Sequence, residues 1–388
     1  MEYSFKKINI ESPFPTTQCG HSCQTEKLFE YHDHLFARVF SLKDDRNWII
    51  HFSFDLLAFD LKHRDMLEEE LRNYYGCDHL HVITSATHTH YANSVRDPEY
   101  VEYLYDLLIK EVKTMEYREV KDVHTSYQRL HTTAVGKSRI SGYETDNENL
   151  CLIRFYEAEH NFLTVVYYNC HPTILEANVP YFSAEYPGYV LKKLEEYHPD
   201  CDFTFLQGAA GDISSRFVRN GQSYDDVIEL GDRLYEDIDS LYKKEVDKVP
   251  LTMNYRCFPI DFSHEFAPID LSKIRQDLTD REKETIRLGQ IEREKLEKSN
   301  NMIFGKLIEK AMIVAVDFTS VEVIFFPNEI FSHYMNYIDL DKKMLVSYSN
   351  GYGPYVLPID FEYITYEMFT DTLSRESKKR IIEILENI

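Results

Sequence analysis

The chain has 388 residues and a mass of 46.0 kDa, and its 43 basic against 66 acidic side chains set a formal charge of −23. That net charge argues against nucleic acid and anionic bilayers as partners, which need a basic footprint to recruit phosphates. A hydrophobic fraction of 43% and an aromatic fraction of 14%, with 29 Tyr, exclude a disordered chain and supply rings that pack on one side and hydrogen-bond at the other.

Length alone allows two domains, but no linker or repeat interrupts the chain, so a single catalytic domain over 1–388 is expected. Seven cysteines (Cys19, Cys23, Cys77, Cys151, Cys170, Cys201, Cys257) follow no framework spacing and read as reduced thiols. Cys19 and Cys23 have no second pair at zinc-finger spacing, so they read as loop cysteines. The opening MEYSFKK has no apolar run behind it, and no window reaches the roughly 18 apolar residues of a membrane span. The expectation is a cytoplasmic chain with no stable membrane insertion; nothing in the sequence indicates an oligomeric state.

In chain order, 48–57 (WIIHFSFDLL) predicts a strand, 63–75 a helix and 80–84 a strand. Further strands are expected at 150–156, 163–169, 203–207, 312–318 and 321–326. Residues 183–197 predict a helix with Ser183 near its N-cap and Pro187 in its first turn, where a missing N–H costs little. Over 270–298 opposite charges recur at helical spacing, as in a solvated surface helix or pair of helices. A last short helix is expected over 374–386. This rhythm predicts an α/β fold, a mixed β-sheet core flanked by helices.

Several strands end in chemically active side chains. Thr87-His88-Thr89-His90 follows the strand at 80–84, and in extended backbone residues i and i+2 share a face, so His88 and His90 can address one centre. Cys170-His171-Pro172-Thr173 follows the strand at 163–169. Catalytic zinc takes a few N/O ligands at about 2.0–2.2 Å plus an open position, and strand-end histidines are a natural source of them. Either motif alone is a weak signal, because histidines that hydrogen-bond to backbone are the commoner case. Residues 205–215 (FLQGAAGDISS) run into a small-residue loop whose N–H groups can approach a bound oxyanion, or which is simply a tight turn. Glu329 is a candidate carboxylate ligand or a helix-start Glu, and Tyr355 ligates only if a metal lowers its pKa from about 10.

Taken together and in order, HTHYAN at 88–93, NCHPTIL at 169–175, SAEYPGY at 183–189, FLQGAAGDIS at 205–214, PNE at 327–329 and NGYGPYV at 350–356 resemble the neutral/alkaline non-lysosomal ceramidase family. The resemblance spans residues 9–367 or so and is to that family's catalytic domain, zinc-dependent amidases that split the N-acyl bond of ceramide. It implies one zinc per chain on His88, His171, Glu329 and Tyr355, with His90 beside the metal as a hydrogen-bonding or proton-transfer residue. It further implies Ser214 close to the metal, Tyr366 steadying the oxyanion, Arg139 in the active site and Asp55 orienting a ligand histidine. The implied function is a zinc-dependent hydrolase of an amide, with a lipid-like or other small N-acyl substrate. A zinc esterase and a non-catalytic binding protein on the same fold are the alternatives.

The departures concern substrate. Where the family carries HTHSGP and GDVSPN, this chain has HTHYAN and GDISSR. No signal segment or C-terminal immunoglobulin-like domain is read from the sequence, and the native substrate is expected to differ from ceramide.

Overall fold

The structure, a computed structural model, describes residues 1–21, 24–299 and 308–388. A first sheet is built from β1 (Glu2–Asn9), β2 (Phe36–Lys43), β3 (Trp48–Phe54) and β4 (Leu80–Ala86), ordered β4-β3-β2-β1 with the short strand Arg118–Glu119 at its far edge. β1, β2 and β3 pair antiparallel, whereas β3 and β4 are parallel and are joined through α1 (Leu61–Tyr75). Asp60 caps α1 by accepting the His63 N–H, and Gly76 ends it at a φ of 61°, the left-handed conformation glycine adopts without cost. α2 (Pro98–Val112) packs with α1 over the sheet. The period of two decides what goes where: Trp48, Ile50 and Phe52 lie under the helices, and Ile49 faces the opposite way.

The second sheet comprises β5 (Val123–His131), β6 (Asn149–Glu157), β7 (His160–Tyr168) and β8 (Asp202–Gln207), ordered β8-β7-β6-β5 with the short strand Val249–Pro250 at its far edge. β7 and β8 are parallel, with α3 (Glu185–Tyr197) between them, and α4 (Tyr224–Tyr242) lies beside α3. Val166 and Tyr168 pack under these helices, while Leu163, Val165 and Tyr167 point inward.

A third sheet holds β9 (Asn254–Ser263), β10 (Ile308–Asp317), β11 (Glu322–Phe325) and, after the short β12 (Asn328–Ile330), β13 (Lys343–Val346). β12 pairs parallel with β14 (Gly353–Val356). α5 (Asp280–Ser299), α6 (Tyr366–Thr370) and α7 (Arg375–Asn387) complete this part. The inner faces of all three sheets share one core, to which Ile49, Ile83, Ile153, Val165, Val314 and Val323 belong. Burial of such a side chain contributes about 1.5–3 kcal/mol, against about 0–1 for a surface ion pair, so this core fixes how the sheets sit.

The sheets also meet at their edges. Ser347 N donates to Gln207 O (2.9 Å), Ala86 N to Tyr348 O (3.2 Å) and Asn350 N to Thr84 O (2.8 Å), while Asn350 Oδ1 accepts from Thr84 N (3.0 Å). The segment after β13 therefore ties the edge strands β4 and β8 together where their C-terminal ends come out.

The expected elements are present with shifted ends. The strand expected over 48–57 stops at Phe54 because Asp55 turns back to Phe36, and α1 begins two residues earlier than expected because Asp60 caps it. The charged stretch 270–298 is a short turn at Leu271–Lys273 followed by α5, which starts only at Asp280. It is more than a solvated surface helix: Ile286 and Leu296 are buried, and Gly289 lets it approach α6, since a Cβ there would lie 3.1 Å from Tyr366 Cα. α2, with Asp97 and Pro98 at its start, and α4 were not read from the sequence. The six described cysteines are free, Cys23 lying outside the described residues. No helix among the described residues is long and apolar enough to cross a membrane.

Candidate metal centre

Beyond the end of β4 the chain turns at His88, whose φ of 65° is a conformation non-glycine residues rarely adopt. The turn is over-determined. Thr87 N donates to Phe54 O (2.8 Å), His88 N donates to Leu56 O (2.9 Å), and the His88 ring lies flat on Tyr348 with centroids 3.8 Å apart. Its Nδ1 is 2.8 Å from Leu57 O, so in the neutral tautomer that nitrogen carries the proton and Nε2 presents a lone pair.

His171, at the end of β7, repeats the arrangement. Its Nδ1 is 2.6 Å from Ala210 O and its Nε2 is 3.2 Å from Glu329 Oε2; His88 Nε2 is 3.5 Å from the same oxygen. Glu329 comes from β12, and Tyr352 donates to its other oxygen. Burial, with the Arg139 cation second, lowers the His171 pKa to about 4, so the ring is neutral at pH 7. Burial on its own would raise the Glu329 carboxyl, but His88 and His171 hold it well below the usual carboxylate range. Both Nε2 atoms thus converge on one oxygen of an ionised carboxylate.

His90 stands beside this pair. Ring nitrogens of His88, His90 and His171 all lie within 4.8 Å of one another. Both His90 ring nitrogens are buried without a hydrogen-bond partner among the described residues, as is His88 Nε2. Burial first, then His21, His88 and His171, push the His90 pKa well below its ordinary value. Buried polar atoms left unpaired around an ionised carboxylate are costly, and a cation such as zinc satisfies them with the donor types it prefers. The residues therefore fit a metal ion.

Of the other expected residues, Arg139 donates to Tyr355 Oη (3.0 Å) and Gly211 O (2.8 Å) and pairs with Glu367 (2.8 Å). Tyr355 thus lies next to the cluster with its hydroxyl held by a cation; its ring centroid is 6.5 Å from that of His171. Burial and Glu329 raise the Tyr355 pKa well above that of free tyrosine. Ser214 bridges to His171 through backbone, and its hydroxyl accepts from Arg216 N (3.3 Å). Tyr366 opens α6 on the wall of the cleft. Two expectations are corrected. Asp55 does not orient a ligand histidine: it accepts from Phe36 N (3.0 Å) and Arg38 (3.1 Å), and backbone carbonyls fill that place. Nor are Gly208 and Gly211 oxyanion donors, because their N–H groups are taken by Tyr168 O and Ile330 O, both at 3.0 Å. These glycines serve close packing; a Cβ on Gly211 would sit 2.9 Å from Glu329 O.

The cluster opens into a cleft of about 450 Å³ lined by His90, Ser214, Glu329, Tyr355 and Tyr366, with α5 as one wall. Tyr348, Tyr352 and His21 were missed. The first two lie in or beside the NGYGPYV stretch and were legible as neighbours of Tyr355. His21, whose ring is 4.5 Å from that of His90, was read only as part of a loop with cysteines.

Three sheets whose strand ends bring imidazoles and a carboxylate to one cleft define an α/β protein with a candidate metal centre. More particularly, the chain has the neutral ceramidase fold. Neutral ceramidase from Pseudomonas aeruginosa superposes with a TM-score of 0.73 and a ceramidase complexed with C2 with 0.75, each at 12% identity. The matches cover 99% of this chain and 73% and 74% of those chains. No protein-family model and no curated protein sequence matches.

Proposed function

We propose that this chain is a zinc-dependent hydrolase that cleaves an N-acyl amide bond, with His88, His171, Glu329 and Tyr355 as the residues that hold one zinc ion. The observation that carries the proposal is the convergence of His88 Nε2 and His171 Nε2 on Glu329 Oε2, at 3.5 and 3.2 Å. When bound, zinc supplies Lewis-acid polarisation of a carbonyl and a water acidic enough to act as nucleophile near pH 7.

The protein's own groups do the rest. The Leu57 and Ala210 carbonyls keep both ligand rings in one tautomer, and Tyr352 holds the carboxylate. Arg139 fixes the Tyr355 hydroxyl and favours its anion. His90, neutral at pH 7, accepts a proton at a ring nitrogen and returns it to the leaving amine. Tyr366 donates to the developing oxyanion, and Ser214 is a hydrogen-bond donor on the wall.

Metal analysis of the wild type beside His88→Ala and His171→Ala tests the centre, and a panel of N-acyl amides and matched esters tests the reaction. One zinc per chain, lost in both variants, with chelator-sensitive amide cleavage, is the expected result. Wild type that takes up no metal on reconstitution overturns the proposal.

A further inference from the structure

The cleft is basic in an acidic protein. Six cationic side chains line it against three carboxylates, although the chain carries a formal charge of −23. The carboxylates are already engaged: Glu329 with the two histidines, Glu367 with Arg139 at 2.8 Å, and Glu292 with Lys295 at 3.1 Å. Arg96, Arg216, Arg219 and Arg281 form no ion pair among the described residues. Arg216 is half-buried, and the one hydrogen bond of its guanidinium among the described residues is to the Arg139 carbonyl (3.3 Å). Among the described residues the Arg219 guanidinium bonds only to the Thr173 and Ile174 carbonyls and the Ser215 hydroxyl. Burial first, then Arg139 and Arg281, pulls the Arg216 pKa down to about 10, with Glu367 and Glu282 only partly offsetting them. Partly buried guanidinium groups that lack a carboxylate present planar donor pairs suited to a carboxylate or phosphate.

The cleft also has apolar lining, on the helix that brings Arg281 to it. Leu288 and Ile291 of α5, 36% and 37% exposed, line the same cleft together with Leu57. An acyl chain covers such side chains.

We infer that the substrate is an acylated amine carrying an anionic head, which docks on Arg216 and Arg281 while its acyl chain lies along Leu288 and Ile291. This rests on the hydrolase proposal for which bond is cut, and goes beyond it in naming the substrate's charge. Arg216 sits where GDISSR departs from GDVSPN, so the departure itself supplies one of the cations. An acylated amino acid and the phosphate ester of an acylated amino alcohol share the required chemistry.

Three probes separate these sources: N-octanoylglycine, N-octanoylphosphoethanolamine and neutral N-octanoylethanolamine. Their binding to the zinc-reconstituted protein is measured by calorimetry at low and high salt, and their hydrolysis by amine release. An anionic probe is expected to bind at least about tenfold tighter than the neutral one at low salt, with the stronger of the two naming the head. In an Arg216→Gln/Arg281→Gln double variant, shown to be folded by its thermal transition, that preference drops below about threefold. Equal binding of all three probes to wild type overturns the inference. So does a preference that survives the double substitution, which would assign it to the metal or to the remaining cations of the cleft. Preferential binding without cleavage of any amide refutes the hydrolase proposal and supports the anion site; equal kcat/KM for neutral and anionic amides does the reverse.

Discussion

Asn350 ties the segment after β13 to the strand that delivers His88. Its Oδ1 accepts from Thr84 N at 3.0 Å, and neither residue is exposed to water. Asn350→Ala leaves that donor unsatisfied, which costs about 1–3 kcal/mol. Asn350 also has a φ of 52°, where a non-glycine residue without a local hydrogen bond costs about 1 kcal/mol more. The expected loss is therefore about 2–4 kcal/mol for Asn350→Ala, and about 1 kcal/mol less for Asn350→Gly, which has no Cβ to strain. Urea unfolding of the metal-free protein measures both. Zinc affinity should fall about tenfold in parallel, since Thr84 lies four residues before His88 on the same strand end. A loss under 0.5 kcal/mol in Asn350→Ala would refute the hydrogen-bond account, and Ala and Gly variants of equal stability would refute the backbone account.

Tyr352→Phe removes the hydroxyl that donates to Glu329 and should weaken zinc binding about 10- to 100-fold in a competition titration, with the fold intact by circular dichroism. Gly20→Ala places a Cβ 2.5 Å from His90 Cγ, at a φ of 136° that disfavours alanine; a drop in kcat larger than any change in zinc content is the expected outcome. His51, sealed between Phe40 and Phe325, has its pKa lowered by burial to about 3. Below about pH 6.5 the unfolded chain binds that proton and the folded one does not, so stability from His51 is complete above pH 6.5 and is lost as pH falls toward 3. His51→Phe should flatten the acid limb of the stability profile by up to about 1.4 kcal/mol per pH unit, and an unchanged limb would show that His51 takes up no proton on unfolding.

The fold was legible because β3, β4, β7 and β8 are apolar runs ended by turn residues, and α1 and α3 carry helical periodicity between them. α2 was legible too, from Asp97 and Pro98 at its start, yet its three tyrosines and three leucines blend into a charged surround. Of the candidate centre, His88, His90 and His171 could be picked out because each closes a strand. Glu329 could be named only from its resemblance, since nothing local distinguishes it from a helix-start glutamate. The oxyanion role read into Gly208 and Gly211 failed because small residues permit two things, approach of a ligand or approach of backbone, and only packing tells which.

The sequence by itself determined the periodic elements, the strand-end histidines and the excess of negative charge, because side-chain alternation and local turn chemistry are properties of neighbours along the chain. Tertiary structure alone decided that Glu329 meets His171 across 158 residues, that carbonyls rather than Asp55 fix the imidazoles, and that an acidic chain gathers unpaired arginines around one cleft. Those pairings depend on which strand edges meet and which helix covers the opening, and the order of sheets in space is set by burial of their shared core, which no local pattern encodes.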